Sequence, residues 1–257
     1  MPEQVRTLAF EARTCYAVGC LFPQPVFEIP PRLLNASTDP SSIDTDAGHR
    51  IYTSWSLPLY DLAVHGFSNR FLWHCRTATL QAWFDRHVTD CHLDVGVGTG
   101  LFLDRSQRLN SASQVTLLDA NQNCLNTASK RIARLQPTTV LANLAQPLPS
   151  TLPRFRSASL MYVLHCLPGD TSFRSEVIRR VATTLEPGGI LFGATILGEP
   201  RPKGRLGRRV MASYNRRGIF GNQNDSVDLL QKVLSGELRA VEIAIEGSVA
   251  MFAGSAG

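Results

Sequence analysis

The chain has 257 residues, 44% of them hydrophobic and 18% charged, with a net charge of +5. That supplies the apolar material for one medium α/β domain with extra helices, and it carries too little charge for a disordered or polyelectrolyte chain. No secretory signal is expected, because Glu3, Arg6, Glu11 and Arg13 interrupt the first residues, and no apolar run reaches the ~18 residues of a membrane span.

Residues 1–48 read as a partly irregular N-terminal arm, punctuated by Pro23, Pro25, Pro30, Pro31 and Pro40. Residues 49–257 are expected to form the main domain. Its first part, 50–88, reads as a helical cap. Leu57, Tyr60, Leu62 and Ala63 give one apolar stripe, and Phe71, Leu72, Ala78, Leu80, Trp83 and Phe84 give a second helix. From residue 91 strands and helices alternate, the pattern of a parallel sheet with crossover helices. Strands are expected at His92–Val95, Gln114–Leu118, Thr139–Leu141, Ala158–Leu164 and Ile190–Ile196, with helices at about 100–109, 122–135 and 171–185. Pro187-Gly188-Gly189 predicts a turn before the fifth strand. Residues 199–224 read as a lid-like insertion, and Asp225 with Ser226 as the N-cap of a further helix. The chain then closes with a hairpin, Ala240–Ile245 and Val249–Phe252, whose last strand runs antiparallel.

The richest run is Leu93-Asp94-Val95-Gly96-Val97-Gly98-Thr99-Gly100. An apolar strand ends beside an acid, and alternate glycines let the backbone approach a nucleotide-like ligand closely. The next helix then presents its first N–H groups. The third glycine comes one residue too early for the dinucleotide pattern G-x-G-x-x-G. An acid beside glycine amides suits the zwitterionic end of S-adenosylmethionine (SAM) better than a pyrophosphate. This run resembles motif I of class I SAM-dependent methyltransferases. Leu160–Pro168, Leu185–Gly189 and Gly247–Phe252 are similar to methyltransferases of ubiquinone/menaquinone biosynthesis and of microbial secondary metabolism. The resemblance covers roughly 50–257. It implies a Rossmann-like α/β fold with a seven-stranded, mostly parallel sheet, an antiparallel last strand and helices on both faces.

The resemblance also implies a site at the carboxyl ends of the strands. Asp94, Gly96, Gly98, Thr99 and Gly100 would hold the methionine and loop side of SAM. Asp119 would accept the ribose hydroxyls, or else cap the helix near Asn121. Ala120, Asn121, Asn143 and Leu144 would flank adenine, with Asn143 replacing the acid usual there; a plain loop asparagine is the alternative. Tyr162 would meet the methionine end, and Tyr60 of the cap would cover it. Tyr52, Trp55, Asp61 and Trp73 offer further cover for the sulfonium or simple core packing. His165 is the residue best suited to acid/base work, with a structural histidine as the competing reading, and Cys166 is a weaker nucleophile candidate.

The implied reaction is methyl transfer from SAM to O, C or N of a small-molecule acceptor, a secondary metabolite or a quinone- or polyketide-like compound. The arginines and lysine of 199–224 would favour an anionic acceptor or form a solvated face. No metal cluster is expected. Neither is nucleic-acid binding, since no Asn/Asp-Pro-Pro-aromatic box follows the fourth strand. The cysteines at 15, 20, 75, 91, 124 and 166 form no C-x-x-C pair, so reduced thiols and a cytoplasmic setting are expected. A homodimer is compatible with the sequence. Two readings of other classes stay open: a SAM fold that steers a cyclisation or rearrangement, and a non-catalytic partner subunit.

Overall fold

The computed structural model describes residues 68–168, 170–198 and 204–257. All belong to one unit of the chain, Asp39–Gly257. The arm, the first cap helix with Tyr52, Trp55, Tyr60 and Asp61, and residues 199–203 lie outside the described residues.

The described cap begins with a helical turn, α1 (Asn69–Phe71), and a helix, α2 (Thr77–His87). The single helix expected across 71–84 is therefore broken. Between the two pieces, Trp73 and Cys75 are buried, His74 has φ 54°, and the Trp73 carbonyl accepts from Ser248 N–H at 2.8 Å. Tertiary contacts with the far end of the chain override the local helical pattern here.

Strands β1 (Cys91–Val95), β2 (Gln114–Asp119), β3 (Thr138–Leu141) and β4 (Phe155–Met161) alternate with α3 (Leu101–Arg105), α4 (Gln122–Arg131) and a 3-10 turn at Ala133–Leu135. After β4 come a 3-10 turn (Leu164–Cys166), α5 (Thr171–Ala182), β5 (Leu185–Ile196), α6 (Arg205–Arg216), α7 (Val227–Glu237), β6 (Arg239–Glu246) and β7 (Val249–Ser255). The seven strands take the order β3-β2-β1-β4-β5-β7-β6. β1 to β5 pair in parallel, and β7 runs antiparallel to both β5 and β6. This is the sheet expected from the sequence.

The central strands are covered on both faces, so they read as nearly continuous apolar runs. One core contains Phe84, Leu103, Leu117, Leu125 and Phe192. The other contains Leu93, Val95, Leu118, Leu160, Val177 and Ile178. Strand residues alternate between the two cores.

Caps fix the helix starts. Asn121 accepts from Asn123 N–H at α4, Asp170 from Ser172 and Phe173 N–H at α5, and Ser226 from Leu229 N–H at α7. Of the pair expected to cap α7, only Ser226 does so. Asp225 instead forms a buried ion pair with Arg174, 3.4 Å away.

Other boundaries also move. β4 ends at Met161 rather than Leu164, because Tyr162 takes a left-handed backbone conformation (φ 62°) that no strand continues. β5 begins at Leu185, yet the expected turn exists as a bulge within it. Leu185 pairs with Phe155 and Ile190 with Ser157, and Gly188 takes φ 78° in the slack between them. The insertion carries a helix, α6, that the sequence reading did not assign.

Candidate functional site

The loop from β1 to α3 turns through three left-handed glycines, Gly96 (φ 68°), Gly98 (φ 55°) and Gly100 (φ 73°). They do different work. A Cβ on Gly96 would lie 2.5 Å from Val163 Cγ2, and one on Gly100 would lie 3.0 Å from Ala128 Cβ. Those two positions let the loop close on its own protein. A Cβ on Gly98 meets nothing within 4 Å. Its open side lies in the loop that follows Asp94, with its N–H donating to Asp119.

Asp119 ties this loop to β2. Its Oδ2 accepts from Gly98 N–H at 3.3 Å and its Oδ1 from Asn121 N–H at 2.9 Å. It is not the cap of α4, a role taken by Asn121. The loop is further pinned by Gly96 N–H donating to Leu118 O at 2.7 Å. Asp94 closes β1 and is 6% exposed. Burial pushes its carboxyl up to about 7, against the opposing pull of the Ser159 hydroxyl that donates to it, with the Asp119 charge raising it further. Such a buried acid gains from a cationic ligand.

On the β2–β3 side, Ala120 and Asn121 are half-buried next to Asp119. Asn121 spends its side-chain oxygen on the α4 cap. The Asn143 oxygen accepts from Ala145 N–H at 2.9 Å, and the Leu144 carbonyl accepts from Arg180 at 2.7 Å. Thr99 is buried in the loop, with its carbonyl held by Arg131 at 3.0 Å.

On the β4–β5 side, Tyr162 N–H donates to Ala194 O and its hydroxyl donates to Asn69 Oδ1 at 2.9 Å. Asn69, fully buried, donates in turn to Thr77 Oγ1 at 3.2 Å. A strained Tyr162 backbone is thus anchored to the cap by its own side chain. His165 packs edge-on against Tyr162 and Phe220, with ring centroids 5.4 and 4.7 Å apart. Its Nδ1 accepts from Ile196 N–H at 3.3 Å. Burial and the Arg174 charge press its pKa down to about 3, so the ring stays neutral and is a weak proton acceptor. Burial also pushes the Cys166 thiol up to about 12, far from a reactive thiolate. Trp73 is a core residue, tilted against Phe220 at 6.1 Å.

The structure therefore gathers Asp94, Gly96, Gly98, Thr99, Gly100 and Asp119 around one loop. It places Asn143 with Leu144 past β3, and Tyr162 with His165 past β4. Sequence reasoning missed Asn69, His92, Ser157 and Ser159. The last three carry a readable signal: polar residues at alternate positions of strands that are buried on both faces. Among the described residues, no group of three His, Cys, Asp or Glu could hold a metal ion, no helix is long and apolar enough to cross a membrane, and Cys75, Cys91, Cys124 and Cys166 are free thiols.

The sheet order and a left-handed glycine loop between two strand-end acids define the class: a Rossmann-like α/β protein with a glycine-rich loop after its first strand. Residues 93–191 match the profile of a methyltransferase domain. The chain is 35% identical over 214 residues to demethylluteothin O-methyltransferase of Streptomyces thioluteus, covering 83% of this chain and 92% of that protein. It is 36% identical over 217 residues to methyltransferase verB of Penicillium polonicum, covering 79% and 95%. It shares its fold with the N-methyltransferase NodS of Bradyrhizobium japonicum in complex with S-adenosyl-L-homocysteine, with a TM-score of 0.54 at 14% identity over 79% of this chain and 97% of that one. The protein belongs to the SAM-dependent methyltransferases.

Proposed function

We propose that the protein methylates an oxygen of a small, acidic acceptor of the phenol or enol type, as in secondary metabolism, and that the glycine-loop site holds the cofactor in a fixed polarity. The observation that carries this reading is the open side of Gly98 between the buried carboxylates of Asp94 and Asp119. In it, Asp94 faces the cationic methionine end and Asp119 accepts the ribose hydroxyls. Ala120, Asn121, Asn143 and Leu144 flank the adenine. Tyr162 borders the reacting end.

Bound SAM supplies an already activated methyl group, so the protein's task is positioning and the exclusion of water. An acidic acceptor arrives as its anion or loses its proton readily, and needs no strong base. That suits His165, whose Nδ1 is occupied by a backbone N–H and whose ring stays neutral.

The anionic character of the acceptor is supported by α6. Arg205, Arg208, Arg209, Arg216 and Arg217 are exposed there, and no acid lies between residues 204 and 218. Arg208 and Arg216 line a cleft with Asn215, Gln223 and Asn224 beside the end of β5. The relative from S. thioluteus is by name an O-methyltransferase. The test is turnover with methyl-labelled SAM and a panel of phenols, enols and their methyl ethers. Label recovered as an O-methyl product, with the blocked ethers inert, is expected. An undiminished SAM pool during product formation would replace methyl transfer with a rearrangement.

A further inference from the structure

A chain of polar side chains crosses the centre of the sheet on one face. Parallel register sets His92 of β1 opposite Ser157 of β4, and Asp94 opposite Ser159. His92 lies between the two serines, with Nδ1 2.9 Å from Ser157 Oγ and Nε2 3.1 Å from Ser159 Oγ. Ser159 Oγ then donates to Asp94 Oδ1. At the far end, Thr89 N–H donates to Ser157 Oγ at 3.0 Å, and the Thr89 hydroxyl lies 2.9 Å from it. His92, Ser157 and Ser159 are wholly buried. The imidazole is stacked on Phe192 at 5.7 Å and set edge-on to Phe84 at 5.6 Å, so its plane is fixed by packing.

The direction of these bonds follows from the acid. The ionised form of Asp94 only accepts, so in that form the single Ser159 proton points at Asp94. Ser159 Oγ must then accept from Nε2–H of His92. A neutral imidazole protonated at Nε2 leaves Nδ1 as an acceptor, which takes the Ser157 proton. His92, Ser157 and Ser159 then each have one assignment, and the ordering runs from Ser157 to the cofactor acid; the Thr89 hydroxyl can donate to Ser157 Oγ or to the Cys91 carbonyl. Burial favours the neutral ring that this requires. Polar networks this deep are costly when half-satisfied, and this one is filled at each ring nitrogen.

We propose that His92 is a positioning residue for the cofactor acid: as the neutral Nε2–H tautomer, it holds the Ser159 hydroxyl as a donor to Asp94 and so favours the ionised form of that acid and aims it at the cationic end of the cofactor. This rests on the reading of Asp94 given above. The charged group that bears on Asp94 from another described element is Asp119 at the end of β2. Around His92 the neighbours are Phe84 of α2, Phe192 of β5 and the two serines; His87 of α2, bonded to Glu242 of β6, also stacks on Phe192.

The first arm of the test needs no variant. Nitrogen-15 spectra of the histidine-labelled protein are expected to show His92 protonated at Nε2 alone at pH 8 to 9, where Asp94 is ionised. A Nδ1–H or cationic ring would overturn the proposal. In the second arm, SAM affinity is measured against pH for His92→Phe, which keeps the ring packing, for His92→Gln, which keeps one donor and one acceptor, and for Ser159→Ala. His92→Phe is expected to weaken SAM roughly tenfold and to raise the pH midpoint of binding. His92→Gln should recover most of the affinity. Ser159→Ala should match His92→Phe, and the double variant should add nothing to either. An unchanged midpoint, or additive losses, would reduce His92 to a packing residue. Asp94→Asn separates the two levels. If it weakens SAM while His92→Phe does not, this inference fails alone; if it leaves SAM binding intact, the Asp94 reading fails and takes the inference with it.

Discussion

The two ends of the site are built in opposite ways. Around β1 and β2, the groups proposed to face the cofactor come from a short stretch of chain and are fixed by backbone: three glycines, the strand-end acids, and N–H groups bonded to Asp119. Around β4 and β5, the site is assembled from distant segments. Asn69 reaches Tyr162 across 93 residues, Ser248 holds Trp73, Gly221 holds His165, and α6 brings Met211 and Tyr214 to the same core. The first construction suits a ligand that never changes. The second can be altered piece by piece, and it is the half proposed to meet the acceptor.

That contrast predicts a ranking of effects. Asp119→Ala removes the proposed ribose acceptor and two loop bonds at once, and should weaken SAM by roughly 100-fold in a calorimetric titration. A loss below threefold would place the cofactor elsewhere. Within the loop, Gly98→Ala should fold with a penalty of about 1 kcal/mol for its positive φ, yet lose at least ~10-fold in SAM affinity because its methyl group enters the ligand's space. Gly96→Ala should instead fail in stability, since its Cβ strikes Val163. Melting curves beside the titrations distinguish the two, and equal behaviour would dissolve the division of labour among the glycines.

Acid sensitivity sharpens the comparison further. His92 and His165 are pressed down to about 3 in the folded chain, from an ordinary 6.5. The unfolded chain therefore binds more protons, and the stability of the folded state is lost as pH falls from about 6.5 towards 3, at about 1.4 kcal/mol per pH unit for each ring. Asp94 has the opposite sign. Its carboxyl is raised from 3.8 to about 7, so it favours the folded state in acid and loses that contribution as pH rises through 7. Asp94→Asn should consequently steepen the acid loss, and His92→Gln should flatten it, in denaturant titrations at pH 4 to 6. A slope unmoved by either variant would contradict the buried neutral ring and the buried acid.

How far these features were legible in the sequence follows the same divide. The succession of strands and helices, the glycine loop and each strand-end acid are local signals, each carried by a short run of residues. Tyr162 was visible as a residue, but not its left-handed turn, because a continuous apolar run does not announce where a buried strand stops. The break before Thr77 and the buried Arg174–Asp225 pair depend on contacts between remote segments. α6 could have been read from Val210, Met211 and Tyr214, whose spacing gives a narrow apolar stripe, but its arginines hide that stripe in composition. The period-two pattern of His92, Asp94, Ser157 and Ser159 was present in the letters, and needed the register of β1 against β4 to become a chain.

The smallest effects belong to the outer acceptor side. Charge removal on α6, as in Arg208→Gln with Arg216→Gln, should leave SAM affinity within twofold. It should raise the KM for an anionic acceptor by roughly two- to fivefold, an effect that shrinks with added salt. A salt-independent loss in kcat would instead assign these arginines to the folded core of the site.

The polarity of the cofactor pocket can be read in one calorimetric series, SAM binding at pH 6.5 in buffers of different ionisation enthalpy. With Asp94 near 7 in the free protein, pairing with a cationic ligand should release roughly three-quarters of a proton, and Asp94→Asn should abolish that release while weakening binding. Buffer-independent heats in the wild type, with unchanged affinity in Asp94→Asn, would contradict the placement of SAM's cationic end against this acid.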